Sequence, residues 1–147
     1  MPFDSLIQKV DQLVESGTIT EPVICQIGKG TYEPKHCEHF HFRPSLEQLF
    51  AQADLIITHG GMTVIGLLVS RKRFVAVANY LAADKHQQHF LERLAKQTTV
   101  HWTADVQQLE TLIAAARTAV LDFDQMPSLA DDLKEYLRSN KAMRPKL

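Results

Sequence analysis

A short apolar run that ends in two adjacent glycines constrains the fold of this chain more than any other stretch. Residues 55–57 are Leu-Ile-Ile, a β-branched run typical of a buried strand. Gly60 and Gly61 break the run, and Thr63 begins a segment with the apolar spacing of a helix. The free N–H groups and the dipole at such a helix start favour an anion. The pattern predicts a phosphate-bearing ligand at residues 59–63, and a tight turn without a ligand is the alternative.

Length, charge and cysteine content bound the class of protein. The 147 residues fit one domain, and the net charge of −1 argues against nucleic acid as a partner. No apolar run reaches the ~18 residues of a membrane-spanning helix. Cys25 and Cys37 are too few for a disulfide framework, and the first residues lack a signal-peptide pattern. We therefore expect reduced thiols and a cytoplasmic location.

Apolar strands alternate with helical segments along the chain. We expect strands at residues 23–27, 37–42, 55–57, 74–78 and 99–102, and helices at residues 2–14, 45–53, 63–70, 86–97, 105–121 and 129–139. Ser45 is the expected N-cap of the second helix, and Thr103 or Ala104 begins the fifth. The alternation predicts an α/β fold with a mostly parallel sheet and helices on both faces. We expect the chain to divide into an α/β domain over residues 1–124 and a terminal helix with a basic tail over residues 125–147.

Three loops rich in glycine and polar residues follow the expected strands. They are Gly28-Lys29-Gly30, the turn that begins at His59, and residues 79–87. Because ligands bind at the carboxyl ends of parallel strands, we expect a site where these loops meet. Lys29 is placed to contact a phosphate, although a plain turn lysine is the alternative. His59 is a candidate general acid or base, or a structural hydrogen-bonding residue of the turn.

Two further clusters of polar residues have a spacing that is less specific for a ligand. Residues 36–41 read His-Cys-Glu-His-Phe-His, but they lack a regular zinc spacing, so we expect a solvent-facing strand edge and no metal. Residues 71–73 are basic and suit either a phosphate or acidic lipid, or a solvated helix end. His89 and His101 are expected at the surface or in packing.

Taken together, these motifs resemble the C-terminal, donor-binding half of glycosyltransferase family 28. The resemblance covers residues 2–113 and rests on residues 3–7, 26–31 and 53–61, on Asn79, and on His86-Gln87. It is strongest towards stand-alone subunits of the family that act in dolichol-linked oligosaccharide and bacterial exopolysaccharide assembly. The family implies a Rossmann-like sheet, the C-terminal half of a GT-B glycosyltransferase, here with its first strand apparently missing because Phe3 stands so near the start.

The resemblance also implies an activity and a set of donor contacts. It implies the UDP-sugar-binding catalytic subunit of a two-component hexosyltransferase, which moves a hexose or N-acetylhexosamine to a lipid-linked acceptor without a metal or cofactor. The diphosphate would rest on residues 60–63, with the uracil near Phe42 and Arg43. The full set of implied or candidate donor-site residues is His59, as the catalytic one, and Gly28, Lys29, Gly30, Phe42, Arg43, Gly60, Gly61, Met62, Thr63, Asn79, His86 and Gln87.

The family further implies a partner. A membrane-anchored subunit would bind the lipid-linked acceptor and supply the general base, so the chain would be cytoplasmic and peripheral to the membrane. We expect the amphipathic helix at residues 129–139 and the tail to dock on that partner, with packing on its own sheet as the alternative. The isolated chain is expected to be inactive on lipid acceptors and to self-associate through this surface.

One departure from the family supports a second hypothesis. Many relatives hold the ribose with a glutamate on the helix after the glycine turn, where this chain has Leu67 or Gly66. No Asp or Glu occurs in residues 59–79. The alternative function is therefore a non-catalytic binding or scaffold subunit that kept the fold and lost the donor site. An unrelated doubly wound nucleotide-binding protein is a third possibility.

Overall fold

A computed structural model describes residues 3–59, 63–78 and 86–119, and these confirm the predicted α/β fold. The elements in chain order are α1 (Asp4–Glu15), β1 (Ile24–Gln26), β2 (Glu38–Phe40), α2 (Glu47–Gln52), β3 (Ile56–His59), α3 (Thr63–Val69), β4 (Phe74–Val77), α4 (His86–Gln97), β5 (His101–Thr103), a 3-10 helix (Val106–Gln108) and α5 (Leu109–Thr118). The expected helix at residues 129–139 and the basic tail lie outside the described residues. Within those residues, no helix combines the length and apolar character needed to cross a membrane.

The described strands form two parallel sheets. β1 pairs with β2, with Ile24 opposite Glu38, while β3, β4 and β5 form a three-stranded sheet in that order. In the larger sheet Ile56 lies opposite Phe74, and β5 is the edge strand that the sequence predicted. β1 and β3 each keep one edge without a strand partner among the described residues.

One apolar core joins the two sheets. Side chains from one face of β1 and β4 pack against α1 and α5, which present apolar residues at helical spacing. The buried members are Leu6, Val10, Leu13, Ile19, Cys25, Ile27, Val75, Val77, Leu109, Ile113 and Ala116. Since both sheets contribute to this core, they belong to one folded unit.

A second core covers the opposite face of the three-stranded sheet alone. Ile56, Phe74 and Ala76 alternate with the residues of the first core and pack against α3 and α4. The smaller sheet has no such cover in the part of the chain described: Ile24 is 43% exposed, and Gln26 is exposed beside it. We expected β1 to be a buried strand, but only alternate residues such as Cys25 are buried. The prediction of helices on both faces is thus met in full by the larger sheet.

Two helix starts differ from the sequence predictions. α2 begins one residue late, with Leu46 as its N-cap, and Ser45 Oγ accepts a hydrogen bond from the Glu47 N–H at 3.3 Å. The segment predicted to start the fifth helix instead forms the 3-10 turn capped by Asp105, whose carboxylate accepts from Gln107 N–H at 2.9 Å. A carboxylate acceptor at that point satisfies free N–H groups and favours the tighter turn.

Two helices end in the left-handed backbone conformation. Gly17 follows α1 with φ 79°, and Arg71 follows α3 with φ 58°. At the end of α3 the Arg71 N–H donates to Leu68 O at 3.1 Å and the Lys72 N–H donates to Leu67 O at 2.9 Å. This pair of bonds is the Schellman arrangement, in which glycine is the usual left-handed residue. An arginine therefore occupies a position that costs conformational energy for any side chain with a Cβ.

Candidate functional site

The strands of both sheets run in the same direction. Arg117 near the end of α5 pairs with Glu21, just before β1, at 2.7 Å. Arg73, just before β4, donates to the α5 carbonyls of Ala116 and Ala119, each at 2.7 Å. The amino ends of β1 and β4 therefore meet the same end of α5. It follows that the carboxyl ends of β1, β3 and β4 share the opposite edge, where the sequence predicted a site.

The glycine turn after β1 is fixed by its own geometry. Gly28 has φ 55°, a conformation that side chains disfavour, and the Gly30 N–H donates to Ile27 O at 2.8 Å. A Cβ on Gly30 would come 2.9 Å from Ile27 O and would overlap the carboxylate of Asp4. Both glycines were predicted as donor-binding residues. The structure gives each of them a backbone role in forming the turn.

Lys29 lies between these two glycines. Its side chain is exposed and makes no hydrogen bond or ion pair with any residue in the described ranges. The ammonium is therefore available to an anion at the carboxyl end of β1. This is the charge that the sequence placed near a phosphate.

Asp4, in the first turn of α1, holds the chain that leaves this turn. Its carboxylate accepts hydrogen bonds from Thr31 N at 3.3 Å, Thr31 Oγ1 at 3.0 Å and Tyr32 N at 3.4 Å. The bond from the Thr31 hydroxyl is the largest of the effects on the pKa of Asp4, which lies below its ordinary value. The carboxylate is thus held in its charged form at neutral pH.

Asp11 holds the next part of the same loop from further along α1. It is a buried carboxylate that accepts from Tyr32 OH at 2.6 Å, Lys35 N at 3.0 Å and His36 N at 2.8 Å. Burial alone would raise its pKa, but these hydrogen bonds, together with the His36 ring 3.3 Å away, lower it to about 2. The hydrogen bond from Tyr32 OH to Asp11 raises the pKa of Tyr32 to about 12.

Sequence reasoning missed both carboxylates, although a signal was present. Asp4 and Asp11 stand seven residues apart, nearly two helical turns, so they share one face of α1. Asp11 also directly follows the apolar residue Val10 on the buried stripe of the helix. A charged residue on such a stripe requires buried partners.

The segment after β2 lies beside the glycine turn. The Gly28 N–H donates to His41 O at 2.9 Å, and His41 Nδ1 lies 2.9 Å from Gly28 O. Phe42 follows with 76% of its surface exposed, and the Arg43 guanidinium carbon stands 4.2 Å from the centre of the Phe40 ring. The structure thus brings together the turn at residues 28–30 and the predicted uracil-contacting pair.

His59 is the last residue of β3 and lies opposite Val77 of β4. Desolvation by the surrounding protein lowers its pKa, so the imidazole is neutral at pH 7 although part of the side chain reaches the surface. Its ring makes no hydrogen bond to another described residue. A neutral imidazole at this edge can accept a proton and so act as a general base.

Several predicted donor contacts fall where the structure gives no side-chain description. Gly60, Gly61, Met62 and Asn79 lie outside the described residues. His86 and Gln87 begin α4, whose backbone alone is described at these positions. Thr63 begins α3, as predicted.

The basic cluster at residues 71–73 lies at the other edge of the sheets. Arg73 caps α5 through the carbonyl bonds given above, and Lys72 Nζ donates to Ala51 O of α2 at 3.3 Å. Cations at the carbonyl ends of helices interact favourably with the helix dipole. These contacts support the helix-end interpretation of Lys72 and Arg73 over a phosphate site.

The remaining alternatives concern the ribose and a metal. Leu67 and Gly66 are the two positions at which the resemblance would place the glutamate of many relatives. Leu67 is buried against the sheet, while Gly66 is exposed and a Cβ there would meet no atom within 4 Å. Within the described ranges no three His, Cys, Asp or Glu side chains are grouped so as to hold a metal ion. In the cluster at residues 36–41, Cys37 packs towards the core while His39 is exposed, so the side chains do not converge.

Comparison with known proteins adds one finding. The family model described as Glycosyltransferase family 28 C-terminal domain matches residues 2–138. No curated protein and no solved structure matched the chain.

Proposed function

The chain belongs to the glycosyltransferase family 28 C-terminal domain family, and on that premise we propose that it is the UDP-sugar-binding catalytic subunit of a two-component glycosyltransferase. The reaction transfers a hexose or N-acetylhexosamine to a lipid-linked acceptor. The observation that carries the proposal is the exposed Lys29 ammonium, which has no partner among the described residues, on a fixed glycine turn at the same edge as the ends of β3 and β4. Family membership itself supports glycosyl transfer in general; the sugar, the acceptor and the partner belong to the proposal.

The chemistry of the donor explains why this edge suits it. When the sugar leaves, charge develops on the diphosphate of UDP, and fixed cations and N–H donors stabilise that charge. Lys29 supplies a cation from the side of β1, and we assign the N–H donors to residues 60–63. Phe42 and Arg43 offer an exposed ring and a guanidinium beside the turn for the uracil. His59 is the proposed catalytic residue, and Asn79, His86 and Gln87 complete the proposed donor contacts.

The proposal includes a partner at the membrane. A membrane-anchored subunit binds the lipid-linked acceptor on the cytoplasmic side, and the segment after residue 127 docks on it. No metal or further cofactor takes part, since the role of a divalent cation on the diphosphate falls to Lys29 and the backbone N–H groups.

Calorimetric titration with UDP and with uridine tests the proposal. We expect UDP to bind the wild-type chain, and Lys29→Ala to weaken that binding about tenfold, or 1.4 kcal/mol, through loss of one charge-assisted contact. Uridine, which carries no phosphate, should bind both proteins equally. Lys96→Ala removes an exposed lysine from the last turn of α4 and serves as the charge-matched control. Equal UDP affinity in the two lysine variants would remove Lys29 from the site.

A second candidate function is a non-catalytic binding or scaffold subunit. It is favoured by the buried Leu67 and by the lack of Asp and Glu in residues 59–79, which leave α3 without a carboxylate for the ribose. The same titration decides between the two. Absence of UDP binding by the wild-type chain at millimolar concentration would favour the scaffold function.

A further inference from the structure

Two carboxylates on α1 tie the helix to the loop that carries Lys29, and the nearer one touches the turn itself. We propose that Asp4 is a positioning residue of the donor site, acting through Gly30 and Thr31 to fix the turn from which Lys29 projects. The inference rests on the proposed function, because it concerns the same site. Asp4 itself is not a donor contact.

The contacts around Gly30 show how the position is fixed. Asp4 Oδ1 occupies the space that a Cβ on residue 30 would need, so the helix and the turn are in direct contact there. Thr31 then donates twice to Asp4 Oδ2, from its backbone N–H and from its hydroxyl. On the other side the Gly30 N–H is bound to Ile27 O, at the end of β1. The turn is therefore held from the strand and from the helix at once.

The helix that supplies Asp4 is itself firmly placed. Leu6 and Val10 of α1 are buried in the core shared by both sheets. A long lysine side chain loses rotamer freedom when it binds an anion, and a fixed backbone limits what remains to be ordered. Asp4 thus connects the buried core to the backbone of Lys29, whose side chain has no partner among the described residues.

The negative charge of Asp4 is expected to weaken UDP binding, whereas its positioning role is expected to strengthen it. A carboxylate close to an anion site repels the anion, so removal of that charge alone would strengthen UDP binding. Its three hydrogen bonds from Thr31 and Tyr32 already compensate much of the charge. The two roles therefore predict changes of opposite sign when Asp4 is replaced.

UDP titration of a double-mutant cycle tests the inference. We expect Asp4→Ala to weaken UDP binding about fivefold in the wild-type background and to have no effect in the Lys29→Ala background, as for residues coupled in one network. Thr31→Val, which removes the hydroxyl donor and keeps the shape, should weaken binding in the same direction by a smaller factor. Glu21→Ala removes a carboxylate from the opposite end of β1 and is the matched control, with unchanged affinity expected.

Each outcome bears on one claim. Tighter binding by Asp4→Ala would show that its charge dominates, and equal loss in both backgrounds would show that it does not act through Lys29; either result overturns the positioning role while the proposed function stands. Unchanged affinity in a folded Asp4→Ala or Thr31→Val chain, with urea unfolding as the check on folding, also overturns it. Absence of UDP binding by the wild-type chain overturns the proposed function and this inference together.

Discussion

The two sheets use the same parallel pairing but are held in place by different forces. The three-stranded sheet lies between two apolar layers, and Val75, Ala76 and Val77 of its central strand are fully buried. The two-stranded sheet has one apolar layer in the described chain, and Ile24 on its other face is 43% exposed. The loop that joins β1 to β2 is held instead by Asp4 and Asp11. Apolar burial stabilises the larger sheet, whereas carboxylate hydrogen bonds fix the edge that carries the candidate site.

The largest expected effect comes from opening the core of the larger sheet. Leu91→Ala in α4 removes a fully buried side chain and should lower the free energy of unfolding by about 2–5 kcal/mol. Ile24→Ala on the uncovered face of β1 should lower it by less than about 1 kcal/mol, since little area leaves water there on folding. Urea denaturation of both variants measures the difference. Comparable losses would mean that the outer face of β1 is covered in solution.

A smaller effect is expected from Asp11, which tests the polar anchoring of the smaller sheet. Asp11→Asn weakens the acceptor for three donors and should lower the free energy of unfolding by about 1–3 kcal/mol at pH 7. The exposed Glu110→Gln is the control, with a change below about 0.5 kcal/mol. A loss no larger than that of the control would contradict the anchoring role.

The same variant also has a defined pH dependence. The pKa of Asp11 is about 2 in the folded chain, against 3.8 as its ordinary value, so the unfolded chain takes up the proton first as pH falls. The stability that the charged carboxylate contributes is complete above about pH 4 and is lost as pH falls towards 2. The gap between wild type and Asp11→Asn should therefore narrow as pH falls from about 4 towards 2. A gap that widens in acid would refute this linkage.

The smallest expected changes in stability concern residues in and just after the helices that pack on the two sheets. At Gly17 after α1 and Arg71 after α3, the left-handed backbone favours glycine, so Gly should exceed Ala in stability by about 1 kcal/mol. The comparison at 71 is made between Arg71→Gly and Arg71→Ala, which both remove the same side-chain contacts. At the exposed Ala114 inside α5 the sign should reverse, with Gly about 0.5–1 kcal/mol worse. An unchanged sign at the three positions would contradict the assigned backbone conformations.

Local pattern predicted the elements of this fold well, and long-range contacts explain what it missed. The helical spacing of apolar residues located α1 and α4, and short apolar runs located β3 and β4, because such local patterns are enough to mark these elements. The split into two sheets depends on pairing between distant residues. Part of the reason for a glycine at 30 likewise lies 26 residues away, in Asp4, and no local rule connects the two residues.

The candidate site shows the same division. The sequence placed Lys29 in the turn after β1, His59 at the end of β3 and Thr63 at the start of a helix, and the bounds of the elements agree with these positions. Their roles as donor-site residues stay predictions. The sequence left two interpretations of the basic cluster open, and the contacts of Lys72 with α2 and of Arg73 with the end of α5 favour one of them. Asp11 was overlooked because its partners belong to a loop that has no period of its own.

Because Asp4 and Asp11 stand seven residues apart on a helix, α1 fixes the distance between the two points at which the loop beside it is held. A helix advances by about 100° per residue, so one residue inserted between the two aspartates would turn one of them away from its donors. One residue inserted between Glu33 and Pro34, which lie between the segments held by Asp4 and Asp11, would meet no such constraint from α1, because a loop can bulge towards solvent. Natural change in the length of this region should therefore accumulate in the loop, while the distance between the two carboxylates along the helix stays fixed.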